Sequence, residues 1–209
     1  MNTPRPAQGP LFQVRVHGRG GQGVVTAAEL LSVAAFSEGR YAQAFPFFGS
    51  ERMGAPVVAF CRLSDREIRL REPITRPDAV LVQDPTLLHQ SDLFQGLSPS
   101  GYVLINSQRS LSQLGLQEWS ERLPPGHVRV LPATEIARQL LDKPLPNIAL
   151  CGGFAALTGQ LSLAALQSAV RERFPGELGE RNATVAAAAH AHLLSPPAAE
   201  RSPEPCLAR

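Results

Sequence analysis

Two hydrophobic rhythms run along the chain. Near its start, Phe12, Val14 and Val16 alternate with polar residues, the period of a strand with one buried face. From Gln22 to Glu38, "QGVVTAAELLSVAAFSE" is apolar around much of its circumference and rich in alanine. That predicts a helix packed on a sheet, ended by Gly39. A short strand is expected over residues 41–44. "PVVAFCRL" (56–63) and "EIRLR" (67–71) read as the arms of a hairpin turning at Ser64-Asp65. "AVLVQD" (79–84) and "YVLIN" (102–106) are continuous apolar runs that close on a polar residue, as buried parallel strands do. "HVRVL" (127–131) adds another strand. Helices are expected over 134–141, 147–157, 162–174 and 182–194, with Asn147 and Ser162 as N-caps. Strands alternating with helices predict an α/β fold: an open, mostly parallel twisted sheet flanked by helices, with a Rossmann-like start and an inserted β-hairpin.

This pattern occupies residues 11–194, a single domain. Residues 1–10 hold three prolines and read as a flexible arm; 195–209, "SPPAAERSPEPCLAR", read as a disordered Pro-rich tail. Composition removes several classes of function. The net charge is +2 and no Lys/Arg block stands out, which argues against nucleic acid as a partner. No run of about 18 apolar residues is present, so no membrane span is expected. The N-terminus lacks the charged start and apolar core of a secretory signal, and a cytoplasmic location is the expectation. Cys61, Cys151 and Cys206 form no C-x-x-C pair, which argues against a disulfide framework or an iron–sulfur cluster on this chain. His17, His89, His127, His190 and His192 lack metal-site spacing.

The candidate chemistry lies in "HGRGGQGVVTAAELL". Gly18, Gly20 and Gly23 fit G-x-G-x-x-G in a strand-to-helix turn. Glycine allows positive φ and close approach to backbone N–H groups, and the following helix points its positive end at the turn. Thr26, one turn in, carries a hydroxyl. The plainer reading is that the glycines only let helix and strand pack tightly. A nicotinamide dinucleotide site also wants an acid after the second strand. Glu38 precedes that strand, and the next acid is Glu51. A P-loop is excluded, because no G-K-[ST] follows the glycines. Asp84 and Asn106 end their strands at the same sheet edge, where ligands of open α/β sheets gather. Their plainer role is to cap those strand ends through turn hydrogen bonds.

After the second strand comes "AFPFFGSERMGAP", residues 44–56. Phe45, Phe47 and Phe48 surround Pro46, and Glu51 and Arg52 follow. These aromatics either plug the core beneath the sheet or form an exposed cluster beside an arginine, the composition of an interface hot spot.

"GRGGQGVVTAAELLSVAAFSEG" together with "FPFFGSERMGAPVVAFCRLSDREI" resembles the gamma subunit of 2-oxoacid:acceptor oxidoreductases of the pyruvate:ferredoxin type. The resemblance continues through "ITRPDAVLVQDPTLL", "GYVLINS", "LPNIALCGGFAALTG" and "ERNATVAAAAH", over about residues 12–190. Met53 departs from it, since the family usually has a second arginine there. The beta subunit of indolepyruvate oxidoreductase shares the glycine turn and is less similar in the loop. The resemblance implies a complex that oxidatively decarboxylates a 2-oxoacid to an acyl-CoA and carbon dioxide. Thiamine diphosphate with magnesium would sit on alpha and beta subunits. Iron–sulfur clusters, on a delta-type or other subunit, would pass electrons to ferredoxin or another acceptor. The gamma chain would hold neither and carry no catalytic residue.

Within that picture the turn of Gly18, Gly20, Gly21, Gln22 and Gly23, with Thr26, Asp84 and Asn106, is a candidate contributor to a coenzyme A site. The diphosphate of CoA suits amides at a helix N-terminus, and its 3′-phosphate accounts for the missing ribose acid. Phe47, Phe48, Glu51 and Arg52 are the candidate subunit interface. Two readings compete: a self-sufficient NAD-dependent dehydrogenase, and a pure scaffold whose glycines serve packing alone.

Overall fold

Six strands form one sheet in the order β2-β3-β1-β4-β5-β6, in a computed structural model that describes residues 11–47, 54–89 and 93–195. The strands are β1 (Leu11–Arg19), β2 (Tyr41–Phe47), β3 (Pro56–Ser64), β4 (Ala79–Val82), β5 (Tyr102–Asn106) and β6 (Val128–Leu131). The helices are α1 (Val24–Ser37), the short α2 (Gln117–Ser120), α3 (Ala133–Leu141), α4 (Asn147–Thr158), α5 (Leu163–Arg173) and α6 (Glu177–Leu194), with a 3-10 turn at Pro85–His89. β1, β4, β5 and β6 pair in parallel, and only β3 runs against its neighbours. The sheet is therefore mixed and mostly parallel.

The apolar runs explain the layers. On one face Val14, Val16, Ala59, Cys61, Leu63, Leu81 and Leu104 meet Leu30, Leu31, Phe154 and Leu166 from α1, α4 and α5. Each fully buried valine, leucine or phenylalanine among them contributes about 1.5–3 kcal/mol. On the other face Val80, Val82, Val103 and Ile105 are covered by Leu87, Leu93 and Trp119 from irregular segments and α2. Beside them on that second face lie two buried arginines. Arg15 donates to the carbonyls of Leu93 and Gln95 at 3.0 and 2.8 Å, and Arg62 donates to the carbonyl of Glu72 at 2.6 Å.

Several expected elements shift. β1 runs on through Gly18 to Arg19, because pairing with β3 continues to Arg19↔Pro56; the turn begins at Gly20. β2 extends through Pro46 to Phe47. It is an edge strand, where a residue without an N–H is tolerated. The partner of β3 in the hairpin is β2, not residues 67–71. Those form no strand: Glu67, Arg69, Leu70 and Arg71 are exposed, and Arg69 pairs with Glu67 at 2.9 Å on the surface. α6 begins at Glu177, well before residue 182, with Gly176 as its N-cap. Ser162 caps α5 by accepting from the Ala165 amide at 3.1 Å. Asn147 does not cap α4; it is the first helical residue, behind Pro146. The arm 1–10 and all of the tail beyond Ser195 lie outside the described residues.

Cys61 and Cys151 are fully buried. Burial pushes the Cys61 thiol far up and the Cys151 thiol up to about 12. Both stay protonated and weakly nucleophilic near neutrality. Peptide mapping after treatment with a maleimide at pH 8 should find neither modified until the chain is unfolded. Labelling of either in the native state would contradict this packing.

Candidate functional site

The glycine turn closes the gap between the carboxyl end of β1 and the start of α1, and each glycine has its own task there. Gly18 lies under the helix: a Cβ would sit 2.6 Å from Val24 Cγ2 and 3.1 Å from Gln83 Cβ. Gly23 has φ 73° and is the N-cap of α1, and a Cβ would meet Asn147 Nδ2 at 2.4 Å. That is where Asn147 is used: its side-chain amide donates to the Gly23 carbonyl at 3.4 Å. These two positions serve packing between β1, α1 and α4. Gly21 differs. Its φ is 93°, it is exposed, and a Cβ would have nothing within 4 Å. Packing does not require glycine there, though the left-handed backbone favours it.

The amides of the turn divide in the same way. Gly20 donates to the Ala55 carbonyl at 2.9 Å, and Gln22 donates to the Arg19 carbonyl at 3.1 Å. Among the described residues, nothing accepts from the amides of Gly21, Gly23 or Val24. They are the unspent donors of a helix start. Thr26 is half-buried in the first turn of α1.

Side chains lock this shape. Gln22 Oε1 accepts from the Arg19 amide at 2.8 Å while its Nε2 donates to Asp84 Oδ2 at 3.0 Å. Asp84 Oδ1 accepts from the Thr86 amide and hydroxyl at 2.9 and 2.6 Å. Arg19 Nε lies 3.2 Å from Asp84 Oδ2. Burial alone would raise the Asp84 carboxyl, but Thr86, Gln22 and Arg19 outweigh it and hold it below the usual aspartate range. Its carboxylate is thus ionised near neutrality, neutralised by Arg19 and occupied by donors. Asn106 is also occupied: it donates to the Gln83 carbonyl and Thr134 Oγ1, both at 2.8 Å, and accepts from the Thr134 amide at 3.1 Å. It ties β4 and β5 to the start of α3, beside a cleft of about 200 Å³ lined by Pro85, Ser107 and Glu135.

The structure therefore brings the glycines, Gln22 and Asp84 together at one edge. Sequence reasoning missed Arg19 and Thr86. Arg19 sits inside the glycine motif at an unspecified position, and only the sheet register reveals that it faces Asp84. In the aromatic segment, Phe45 and Phe47 are strand residues whose rings lie 5.2 and 5.9 Å from that of Phe60. Phe47 is 52% exposed. Phe48, Glu51 and Arg52 lie outside the described residues. Among the described residues, no group of three or more His, Cys, Asp or Glu side chains is placed to hold a metal. No described helix is long and apolar enough to cross a membrane.

Residues 13–192 match the family model described as pyruvate ferredoxin/flavodoxin oxidoreductase. The chain is 46% identical over 176 residues to the pyruvate/ketoisovalerate oxidoreductases common subunit gamma of Thermococcus kodakarensis, covering 84% of this chain and 94% of that one. It is 44% identical over 184 residues to the pyruvate synthase subunit PorC of Methanocaldococcus jannaschii, covering 88% and 98%. Among solved structures, the pyruvate oxidoreductase subunit PORC of Thermotoga maritima superposes with a TM-score of 0.74 at 32% identity, covering 88% of this chain and 97% of that one.

Proposed function

We propose a role for the glycine turn from one premise: this chain belongs to the pyruvate ferredoxin/flavodoxin oxidoreductase family and is a gamma subunit of a 2-oxoacid:ferredoxin oxidoreductase. The proposal is that the turn holds the diphosphate of coenzyme A, the acyl acceptor of the reaction. The observation that carries it is Gly21. Its side-chain position opens on solvent, and the unspent amides of Gly21, Gly23 and Val24 lie around it. Backbone amides at a helix start are matched to a phosphate anion. The fit is sound on this chain's own terms, because Asp84, the carboxylate that the described residues place at the turn, is already neutralised by Arg19 and filled with donors. When bound, CoA supplies the thiol that takes up the acyl group. This chain's part is to anchor the far end of that molecule, with Thr26 and the edge marked by Asp84 and Asn106 framing the turn.

The rest of the assembly follows from the family resemblance as part of this reading. Thiamine diphosphate with magnesium, and the iron–sulfur clusters that serve ferredoxin or another acceptor, are assigned to alpha, beta and delta-type partners. The exposed Phe47 and the segment with Phe48, Glu51 and Arg52 are assigned to contact with a partner subunit. Relatives described as a subunit common to pyruvate and ketoisovalerate oxidoreductases support placing 2-oxoacid selectivity elsewhere. A shared subunit cannot by itself distinguish the two substrates. The missing acid after β2 disfavours the NAD-dependent dehydrogenase.

Gly21→Asp in the assembled complex tests the proposal. Its carboxylate would stand among the amides that are to meet the diphosphate, and the KM for CoA is expected to rise about tenfold or more, since tenfold needs only about 1.4 kcal/mol. Gly21→Ala carries a comparable backbone strain without the charge and should raise KM far less. Thiamine content should not change. Equal CoA kinetics for the aspartate variant and the parent would sink the proposal and leave the turn as packing.

A further inference from the structure

Arg19 is held at this edge by Gly54, Thr86 and Asp84. Its Nη1 donates to the Gly54 carbonyl at 3.1 Å, and its Nη2 donates to Thr86 Oγ1 at 2.7 Å. Its Nε is shared between Thr86 Oγ1 at 3.3 Å and Asp84 Oδ2 at 3.2 Å. A guanidinium carries five N–H donors. Three are engaged here, leaving one on each Nη without a partner among the described residues. The side chain is 34% exposed. An arginine fixed by these partners, with two N–H donors left over among the described residues, has already lost most of the rotamer freedom that binding would otherwise cost.

We infer that Arg19 is the cationic contact for the diphosphate at the glycine turn, and that Asp84 and Gln22 are positioning residues that present it. The inference rests on the CoA reading above and adds to it the one charged side chain. The anchoring explains the chemistry. Asp84 Oδ2 takes Nε of Arg19 and Nε2 of Gln22 together, so the carboxylate fixes the arginine and the turn relative to each other. Gln22 closes the circuit by accepting from the backbone amide of Arg19 itself. Asp84 has its oxygens filled and no capacity to bind ligand. It pairs with Arg19 through Nε and leaves one N–H on each Nη without a partner among the described residues. Phosphate oxygens accept charge-assisted hydrogen bonds from guanidinium N–H groups of this kind.

The test uses the assembled complex carrying Arg19→Gln, with three thiol acceptors: CoA, 3′-dephospho-CoA, and pantetheine, which has the thiol arm and no diphosphate. The quantity read is kcat/KM for each nucleotide-bearing thiol divided by that for pantetheine. For Arg19→Gln this ratio is expected to fall about tenfold or more with CoA, the size of a lost charge-assisted contact, and by the same factor with 3′-dephospho-CoA. Arg19→Lys keeps the charge, loses the planar guanidinium, and should fall between. An unchanged ratio in Arg19→Gln, while Gly21→Asp lowers it, overturns the role of Arg19 and leaves the CoA reading standing. A ratio unchanged in both variants removes the CoA reading and this inference with it. A penalty that disappears with 3′-dephospho-CoA overturns the diphosphate assignment in favour of the 3′-phosphate. An equal loss with pantetheine makes Arg19 merely structural.

Discussion

Gly152→Val is expected to destabilise the chain by about 3 kcal/mol or more, at the upper end of overpacking costs. Gly152 lies in α4 where that helix crosses α6 backbone to backbone. A Cβ there would stand 2.2 Å from the Ala186 carbonyl oxygen and 2.9 Å from its Cα. Neither atom is the tip of a flexible side chain, so relief requires the helices to part. Ala183, Ala186 and Ala189 of α6 are buried in the same core as Ala149, Cys151 and Phe154 of α4, and separation would loosen all of these contacts. For a domain of this size the loss corresponds to a fall of about 10 °C in Tm. The neighbour provides the contrast. A Cβ on Gly153 would meet Leu131 Cδ2 at 2.8 Å and Leu104 Cδ2 at 2.9 Å, both ends of side chains that can rotate. Thermal unfolding of the full chain, followed by circular dichroism, should rank Gly152→Ala below Gly153→Ala and Gly152→Val lowest. The reverse order would mean that α4 and α6 are not in backbone contact.

The second large effect is at Arg62. It is 1% exposed, near the carboxyl end of β3. Its Nε donates to Gln13 Oε1 at 3.2 Å and its Nη1 to Gln43 Oε1 at 3.3 Å. Its Nη2 reaches the Glu72 carbonyl at 2.6 Å, and its guanidinium lies 5.2 Å from the ring centre of Phe45. Burial pulls its pKa down and the field of Glu72 opposes that shift. The charge is thus spread over carbonyl and amide dipoles and an aromatic face. Arg62→Ala would leave those acceptors unpaired and a hole beneath Phe45. Cavity and unpaired acceptors together are expected to cost about 3 kcal/mol. The loss also has a local signature. Residues 65–78 are laid on the second face of the sheet through this side chain, so trypsin should cut faster after Arg66, Arg69 and Arg71 in the variant. Cleavage at the parent's rate would show that the segment is held by something other than Arg62.

Much of the fold was legible because the strands β4 and β5 are buried on both faces. Their apolar runs have no competing period, and their ends fell within a residue or two of the polar residues that close them. Ser162 was legible as a cap for a local reason, the hydroxyl that accepts from Ala165 three residues on. Asn147 has the same chemistry and was misplaced. Its partner, Gly23, is 124 residues away, and no local signal announces it. The hairpin failed for a related reason. Residues 67–71 alternate well enough for a strand, but β3 had already spent its two edges on β1 and β2. Arg62 then drew that segment across the face of the sheet instead.

The sequence by itself determined the class of fold, the family, and the place of the glycine turn between the first strand and the first helix. Those depend on short-range rhythm, on residue types that permit or forbid a backbone shape, and on motifs whose spacing is read along the chain. Only the tertiary structure decided what each glycine is for. Gly18 and Gly23 are glycine because Val24 and Asn147 come close, whereas nothing comes near Gly21. It also decided which charge serves the turn. Arg19, Gln22 and Asp84 meet because β1 and β4 lie side by side in parallel register, with His17 opposite Val82. Pairing of that kind is set by burial across the whole sheet, a long-range balance that no local stretch of sequence encodes.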